Sequence, residues 1–368
     1  MAPPSIPNPY AEAHTSPSGP GDARPTTSQI LKDNDLVGKL TDKTFLVTGG
    51  TDGLGLETVR TLAKTGARVF FTARSEDKAK KVVESLAEEG KTDGDLKDAR
   101  IEWVKIDNMS LKSVKAGAED FLRRSDKLNV LVTNAGIANT PHKVTEDGFD
   151  SQFATNHVKR PFLAHFLLFQ LLRQLLLRSS TPSFNSRVVT VSSAAHGFST
   201  VQFGNYNQET KVESGFDPMC QLDGIYNPMI AYGQSKTANI WMANEIERRY
   251  AAKGLHGLSI HPGAIFTAGY AKMDPQIMAV LGPLFEMDVV KKSIKSLPQG
   301  AATQVLAAVG KDYEGKGGFY MDDCGIARAI PDGEMIGPSG YRPWAYNPDG
   351  EKRLWADSLK MVGLQDDE

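Results

Sequence analysis

From residue 44 onward, short and nearly continuous apolar runs alternate with longer stretches whose apolar residues recur at helical spacing. The runs TFLVTG (44–49), RVFFTA (68–73), IEWVKI (101–106), NVLVTN (129–134), RVVTVSS (187–193) and LSIHPG (258–263) predict six strands, the first of them buried. The periodic segments 54–65, 75–90 and 111–125, and a long one containing 162–177, predict helices between them. Strands interleaved with helices call for an α/β fold, a doubly wound parallel sheet with helices on both faces. Residues 1–36, with prolines at 3, 4, 7, 9, 17, 20 and 25 among Ser, Thr and Gly, read as a flexible tail that cannot bury a core. Residues 37–330 then form one domain, and 331–368 a C-terminal extension packed on it.

Composition narrows the function classes. A net charge of −2 with no basic tract gives no general attraction to nucleic acid or to anionic lipid. Cys220 and Cys324 build no disulfide framework, and seven scattered histidines show no ligand spacing, so no metal site is expected. The N-terminus has neither a charged leader nor an apolar core of the secretory kind, which points to a reducing, cytoplasmic setting. The run FLAHFLLFQLLRQLLL (162–177) is too short to span a bilayer and is interrupted by His165, Gln170, Arg173 and Gln174. It reads as a buried or subunit-pairing helix.

The segment TFLVTGGTDGLGLETV places Gly49, Gly53 and Gly55 between the first strand and the first helix. Glycines there let the backbone turn tightly and approach a pyrophosphate, while the helix N-terminus supplies N–H groups and partial positive charge. A glycine-rich turn at the head of such an array marks a Rossmann-like domain. In order along the chain come TGGTDGLG (48–55), NAG (134–136), the serine pair 192–193, Tyr232-x-x-x-Lys236 and HPG (261–263) with Thr267 behind it. Over residues 40–330 this set resembles the short-chain dehydrogenase/reductase family. VVTVSSAAHG and YNPMIAYGQSKTANI resemble its branch of retinol dehydrogenases and WW-domain oxidoreductases, and the C-terminal part resembles fungal members, some of which serve secondary metabolism.

The resemblance implies roles for individual residues. A free tyrosine, with a pKa of about 10, is a poor proton donor or acceptor near neutrality. A lysine one helical turn away favours the phenolate, so Tyr232 becomes the acid–base group and Lys236 its tuner and a holder of the cofactor ribose. Ser193, rather than Ser192, donates to the substrate oxygen, because family members place that serine second. Asn156 resembles the family asparagine that anchors a water leading to the lysine. His157 and His196 lie beside these motifs and read as structural. Gly49, Thr51, Gly53, Leu54 and Gly55 form the phosphate loop; Asp107 meets the adenine; Asn134, Ala135 and Gly136 line the cleft. Pro262, Gly263, Ile265 and Thr267 meet the nicotinamide end.

At the end of the second strand stands Arg74, where a carboxylate would select NAD by binding the ribose hydroxyls. Arginine is shaped to hold a 2′-phosphate, so NADP is expected over NAD, although Asp52 in the glycine loop offers no phosphate contact. Ser193 and Tyr232 lie 39 positions apart, farther than in most relatives. That insertion (199–228), and the Met-, Leu- and Phe-rich stretch after HPG, either cover a bulky apolar substrate or pack against the C-terminus or a second subunit. The expected function is an NADP-dependent carbonyl reductase or alcohol dehydrogenase acting on a bulky, fairly apolar small molecule, with a fungal secondary-metabolite intermediate as the candidate class, in a homodimer or homotetramer. Enone reduction, dehydration or isomerisation on the same frame, and a non-catalytic NADP-binding regulator, stay open at this point.

Overall fold

The structure is a computed structural model that describes residues 6–136, 162–212, 225–265, 275–331, 334 and 339–367. Asn156, Thr267 and part of the 199–228 insertion lie outside the described residues.

All six expected strands form: β1 (Thr44–Val47), β2 (Arg68–Ala73), β3 (Arg100–Lys105), β4 (Val130–Thr133), β5 (Ser186–Val191) and β6 (Leu255–Ile260). Two short strands that the hydrophobic pattern does not announce, β7 (Phe319–Asp322) and β8 (Gly325–Ile326), extend the sheet. The order is β3-β2-β1-β4-β5-β6-β7-β8. Every pair is parallel except β7–β8. The order reverses between β1 and β4, so their carboxyl ends border the crevice where ligands bind in open α/β sheets.

Alternation along the strands sends side chains into two cores. Phe45, Val47, Val69 and Phe71 join α1 (Thr27–Asp33), α2 (Gly53–Ala63), α3 (Glu76–Glu89) and α9 (Leu297–Val309) on one face. Leu46, Phe70 and Leu131 join α4 (Leu111–Arg124), α5 (Phe162–Ser179), α6 (Pro228–Tyr250) and α10 (Pro348–Met361) on the other. Two further helices, α7 (Pro275–Phe285) and α8 (Asp288–Ser293), follow β6. No described helix is long and apolar enough to cross a membrane.

One expectation is corrected and one is resolved. The segment read as a flexible tail through residue 36 is packed onto the domain over residues 6–36. The Tyr10 hydroxyl donates to Asp33 Oδ2 at 3.0 Å, and Ile30 and Leu31 of α1 are buried between α2 and α9. The Arg24 guanidinium donates to the carbonyls of Ser293 (2.7 Å) and Ile294 (2.6 Å), so the segment also braces the end of α8. Composition averages over a window and hides the few residues that find partners far along the chain. Of the two readings of 162–177, a buried or a subunit-pairing helix, the structure shows α5 buried within the chain. Its apolar face is covered within the chain by α10, where Trp355 meets Phe166 and Phe169 edge-on at 4.9 and 5.9 Å.

Ile30→Ala removes a fully buried side chain from α1 and is expected to cost about 2–5 kcal/mol in urea unfolding. A segment free of the domain would show no change in midpoint.

Candidate active site

The glycine loop sits at the carboxyl end of β1, and its shape follows from space. Gly49 and Gly53 have φ of 70° and 56°, the left-handed region that glycine adopts without strain. A Cβ on Gly55 would lie 2.2 Å from the Gly49 oxygen and 2.5 Å from Asn134 Nδ2. The turn is tied to the neighbouring strands: the Gly49 N–H donates to Thr72 Oγ1 (3.1 Å), and Asn134 Nδ2 donates to the Thr48 oxygen (3.0 Å). The Ala135 N–H donates to Thr48 Oγ1 at 3.0 Å, bringing the Asn134–Gly136 turn against the loop. Asp52 caps α2 by accepting the Gly53 N–H at 2.7 Å. The remaining first-turn N–H groups of α2, including those of Leu54 and Gly55, point out of the helix end.

Around this loop stand the other residues expected at a cofactor. Asp107, half-buried after β3, accepts the Met109 N–H at 2.9 Å. Arg74 is exposed at the end of β2, with no hydrogen bond or ion pair recorded among the described residues. Gly263 (φ 91°) follows β6, and Ile265 is buried against Gly300, where Leu54 also packs. Thr51, half-buried, and Pro262, buried, complete the two loops. Asn156 and Thr267 lie outside the described residues.

Helix α6 begins with a strong stop-start signal: Asn227 Oδ1 accepts the N–H groups of Met229 and Ile230, and Pro228 occupies the first turn. Over 228–246 every residue except Tyr232 is buried. Lys236, one turn on, is 5% exposed; its Nζ donates to the Val191 oxygen at 3.1 Å and lies 5.3 Å from the centroid of the Tyr232 ring. Burial pushes the Lys236 pKa down to about 8. The Ser192 hydroxyl donates to the Lys236 oxygen at 2.8 Å and is therefore committed to the scaffold. Ser193 is half-buried at the head of the turn Ala194–Phe198, and its Oγ accepts the Ala195 N–H at 3.2 Å. A hydroxyl used as acceptor keeps its proton for another partner.

The Ser193 turn and α6 touch at Gly233, where a Cβ would lie 2.8 Å from the Ala195 oxygen. Ser193, Tyr232 and Lys236 therefore share one corner of the fold, at the carboxyl ends of β4, β5 and β6. Two buried imidazoles flank it, and sequence reasoning gave neither a place in the site. His165 Nε2 lies 2.8 Å from Thr48 Oγ1, and burial, reinforced by the Lys236 cation, pushes its pKa down to about 3. Thr48 Oγ1 thus joins the His165 ring to the Ala135 N–H, linking α5 to the Asn134–Gly136 turn. For His165 a helical polar position in an apolar run was the available signal.

The family model for short chain dehydrogenase matches residues 43–208. "Short-chain dehydrogenase/reductase prx1" of Penicillium roqueforti is 46% identical over 97% of this chain and 96% of its own length. The chain belongs to the short-chain dehydrogenase/reductase family. A WW domain-containing oxidoreductase of Danio rerio is 33% identical over 91% of the chain and 71% of its own length. Among solved structures, an uncharacterized protein from Mycobacterium paratuberculosis matches with a TM-score of 0.60 and 26% identity, covering 93% of this chain and 97% of that one. Short-chain dehydrogenases/reductases are oxidoreductases that bind nicotinamide cofactors, and the crowding at Gly55 and the turned backbone at Gly49 and Gly53 fit such a cofactor's pyrophosphate.

Two neutral buried imidazoles set the acid response of this short-chain dehydrogenase/reductase. The folded-state pKa values of His165 and His196 are depressed, to about 3 and about 4, in both cases by burial first. The unfolded chain therefore takes up these protons first, and stability present above pH ~6.5 is lost as pH falls toward the folded values. Asp322 opposes this, since burial raises its pKa to about 6. The net loss between pH 7 and pH 5 is expected to be on the order of 2 kcal/mol, read from urea midpoints at the two pH values. An unchanged midpoint would mean that the two rings are open to solvent.

Proposed function

We propose that the protein is an NADP-dependent oxidoreductase that interconverts a carbonyl and an alcohol on a bulky, fairly apolar small molecule, in the cytoplasm, with a fungal secondary-metabolite intermediate as the leading substrate class. The observation that carries this reading is the α6 corner: Tyr232 is the one partly exposed residue of a buried run, with the Lys236 ammonium 5.3 Å from its ring. A cation held there in low dielectric favours the phenolate, so Tyr232 Oη can deliver a proton near neutrality and recover it. Ser193 Oγ, with its proton unspent on the Ala195 N–H, donates to the substrate oxygen as charge develops on it. Asn156 is assigned to the water that resupplies Lys236. When bound, the nicotinamide cofactor supplies or accepts the hydride.

The cofactor residues follow the same reading. Gly49, Thr51, Gly53, Leu54 and Gly55 take the pyrophosphate, Asp107 the adenine, Asn134, Ala135 and Gly136 the cleft wall, and Pro262, Gly263, Ile265 and Thr267 the nicotinamide end. Arg74 takes the 2′-phosphate, a role its exposure and lack of recorded partners support. Exposed Met278 of α7 and Val289 of α8, with Met287 between the helices and Ile225 before α6, support an apolar substrate.

Arg74→Ala is expected to weaken NADPH about tenfold or more while NADH changes little, measured by nicotinamide fluorescence titration. Equal losses for both cofactors would remove the argument for NADP. Tyr232→Phe is expected to lower NADPH-dependent reduction of a panel of aromatic ketones by about 100-fold or more with NADPH affinity retained. In the active protein, reduction should decline as pH rises through about 8, because Lys236 then loses its proton and its hold on the phenolate. Turnover indifferent to Tyr232 would sink the reading, and turnover without net oxidation of NADPH would favour isomerisation or dehydration.

A further inference from the structure

The turn that carries Ser193 is held from one side by a ring that the proposed chemistry does not use. His196 is 0% exposed. Its Nδ1 lies 2.8 Å from the Ser193 oxygen, which also accepts the His196 backbone N–H at 3.0 Å. On the opposite edge, Nε2 accepts the backbone N–H of Arg342 at 3.2 Å, which assigns the proton to Nδ1. The His196 oxygen accepts Trp344 Nε1 at 3.0 Å and Thr237 Oγ1 at 3.1 Å. Trp344 is itself anchored, its oxygen accepting Trp241 Nε1 at 2.8 Å. The Tyr320 ring meets the imidazole at 4.9 Å and 60°.

We infer that His196 is a positioning residue through which the C-terminal segment 339–346 fixes the Ser193 turn, and with it the direction of the Ser193 hydroxyl. The functional half of this inference rests on the role proposed above for Ser193. A buried polar ring needs partners for both nitrogens, and here they lie on two segments far apart in sequence. Ser193 is extended (φ −163°, ψ 157°) at the head of its turn, so its carbonyl and its side chain are oriented by the same backbone. Fixing the carbonyl with two N–H donors fixes the Cα–Cβ direction, and the Ala195 N–H, at 3.2 Å, then holds Oγ in place. The neutral state that the double role needs is favoured by burial first and by the Arg342 cation; the contact with Ser193 opposes it. The groups that face the ring are the Ser193 carbonyl, Arg342 and Tyr320, with no carboxylate recorded against it among the described residues.

The test separates the link from its consequence. Arg342→Pro deletes the N–H that enters Nε2, at a residue whose φ of −81° is near that of proline, whereas Arg342→Ala keeps it. Hydrogen exchange of a peptide covering 193–199, read by mass spectrometry, should accelerate by about tenfold in Arg342→Pro and not in Arg342→Ala. Equal exchange in the two variants overturns the link, whatever the activity. Kinetics with NADPH and phenanthrenequinone then read the consequence. His196→Gln should lower kcat about tenfold with NADPH affinity unchanged, and His196→Asn, whose amide can replace the Nδ1–H donor, should recover most of it. In a Ser193→Ala background, His196→Gln should cause no further loss, whereas a full second loss would show that His196 does not act through Ser193. Failure of the proposed function has a different signature, since Tyr232→Phe would then leave turnover untouched while the exchange result still decides the link.

Discussion

An ammonium group buried in a protein must find acceptors or lose its charge, and the surroundings of Lys236 are organised by that requirement. The Val191 carbonyl, at the end of β5, accepts a hydrogen bond from it, and no carboxylate pairs with it among the described residues. The charge is therefore left to act on the nearest polarisable group, the Tyr232 ring. Val191 also accepts Asn239 Nδ2, and Ser192 binds the Lys236 oxygen, so the end of β5 and the middle of α6 are locked together. The Ser193 turn packs on the same helix, at Gly233.

A helix buried on nearly its whole circumference needs cover from several directions. The sheet supplies one side, α5 another, and α10 with the 343–345 turn the rest. Asn244 donates to the Ala345 oxygen and to Glu351, and the ends of Arg248 and Arg249 meet carboxylates of α6, α10 and the C-terminus. The C-terminal segment is thus part of the site's foundation. The N-terminal segment does the same on the opposite side of the cleft, where Arg24 caps the last carbonyls of α8 and Gln299 joins Asp22 and Arg24 to the start of α9. The Lys295 N–H in turn donates to the Ala264 oxygen, beside the expected nicotinamide loop.

Legibility in the sequence followed locality. The β1 and β2 strands and the helices α2 to α4 came within a few residues of their expected positions, because apolar periodicity and glycine placement are properties of short windows. Ser192 and Ser193 could be told apart only by family resemblance, whereas the hydrogen bond of Ser192 to the Lys236 oxygen is visible only in the fold. β7 and β8 were missed because a four-residue and a two-residue strand carry too little pattern to stand out. His196 was placed beside the motifs, but its partner Arg342, 146 positions away, could not be read, and His165 was not legible as a neighbour of the site because its partner Thr48 lies 117 positions away.

The sequence alone determined the order of the first six strands and of the helices between them, the glycine turn at the head of the sheet and the one-turn spacing of Tyr232 and Lys236. All of these depend on interactions between residues near one another in the chain. Only the tertiary structure decided that α6 is enclosed, that Lys236 is stripped of water, and that the two ends of the chain clamp the cleft. Those outcomes depend on which distant surfaces meet, and an apolar face or a buried polar ring does not name its partner until the chain has folded.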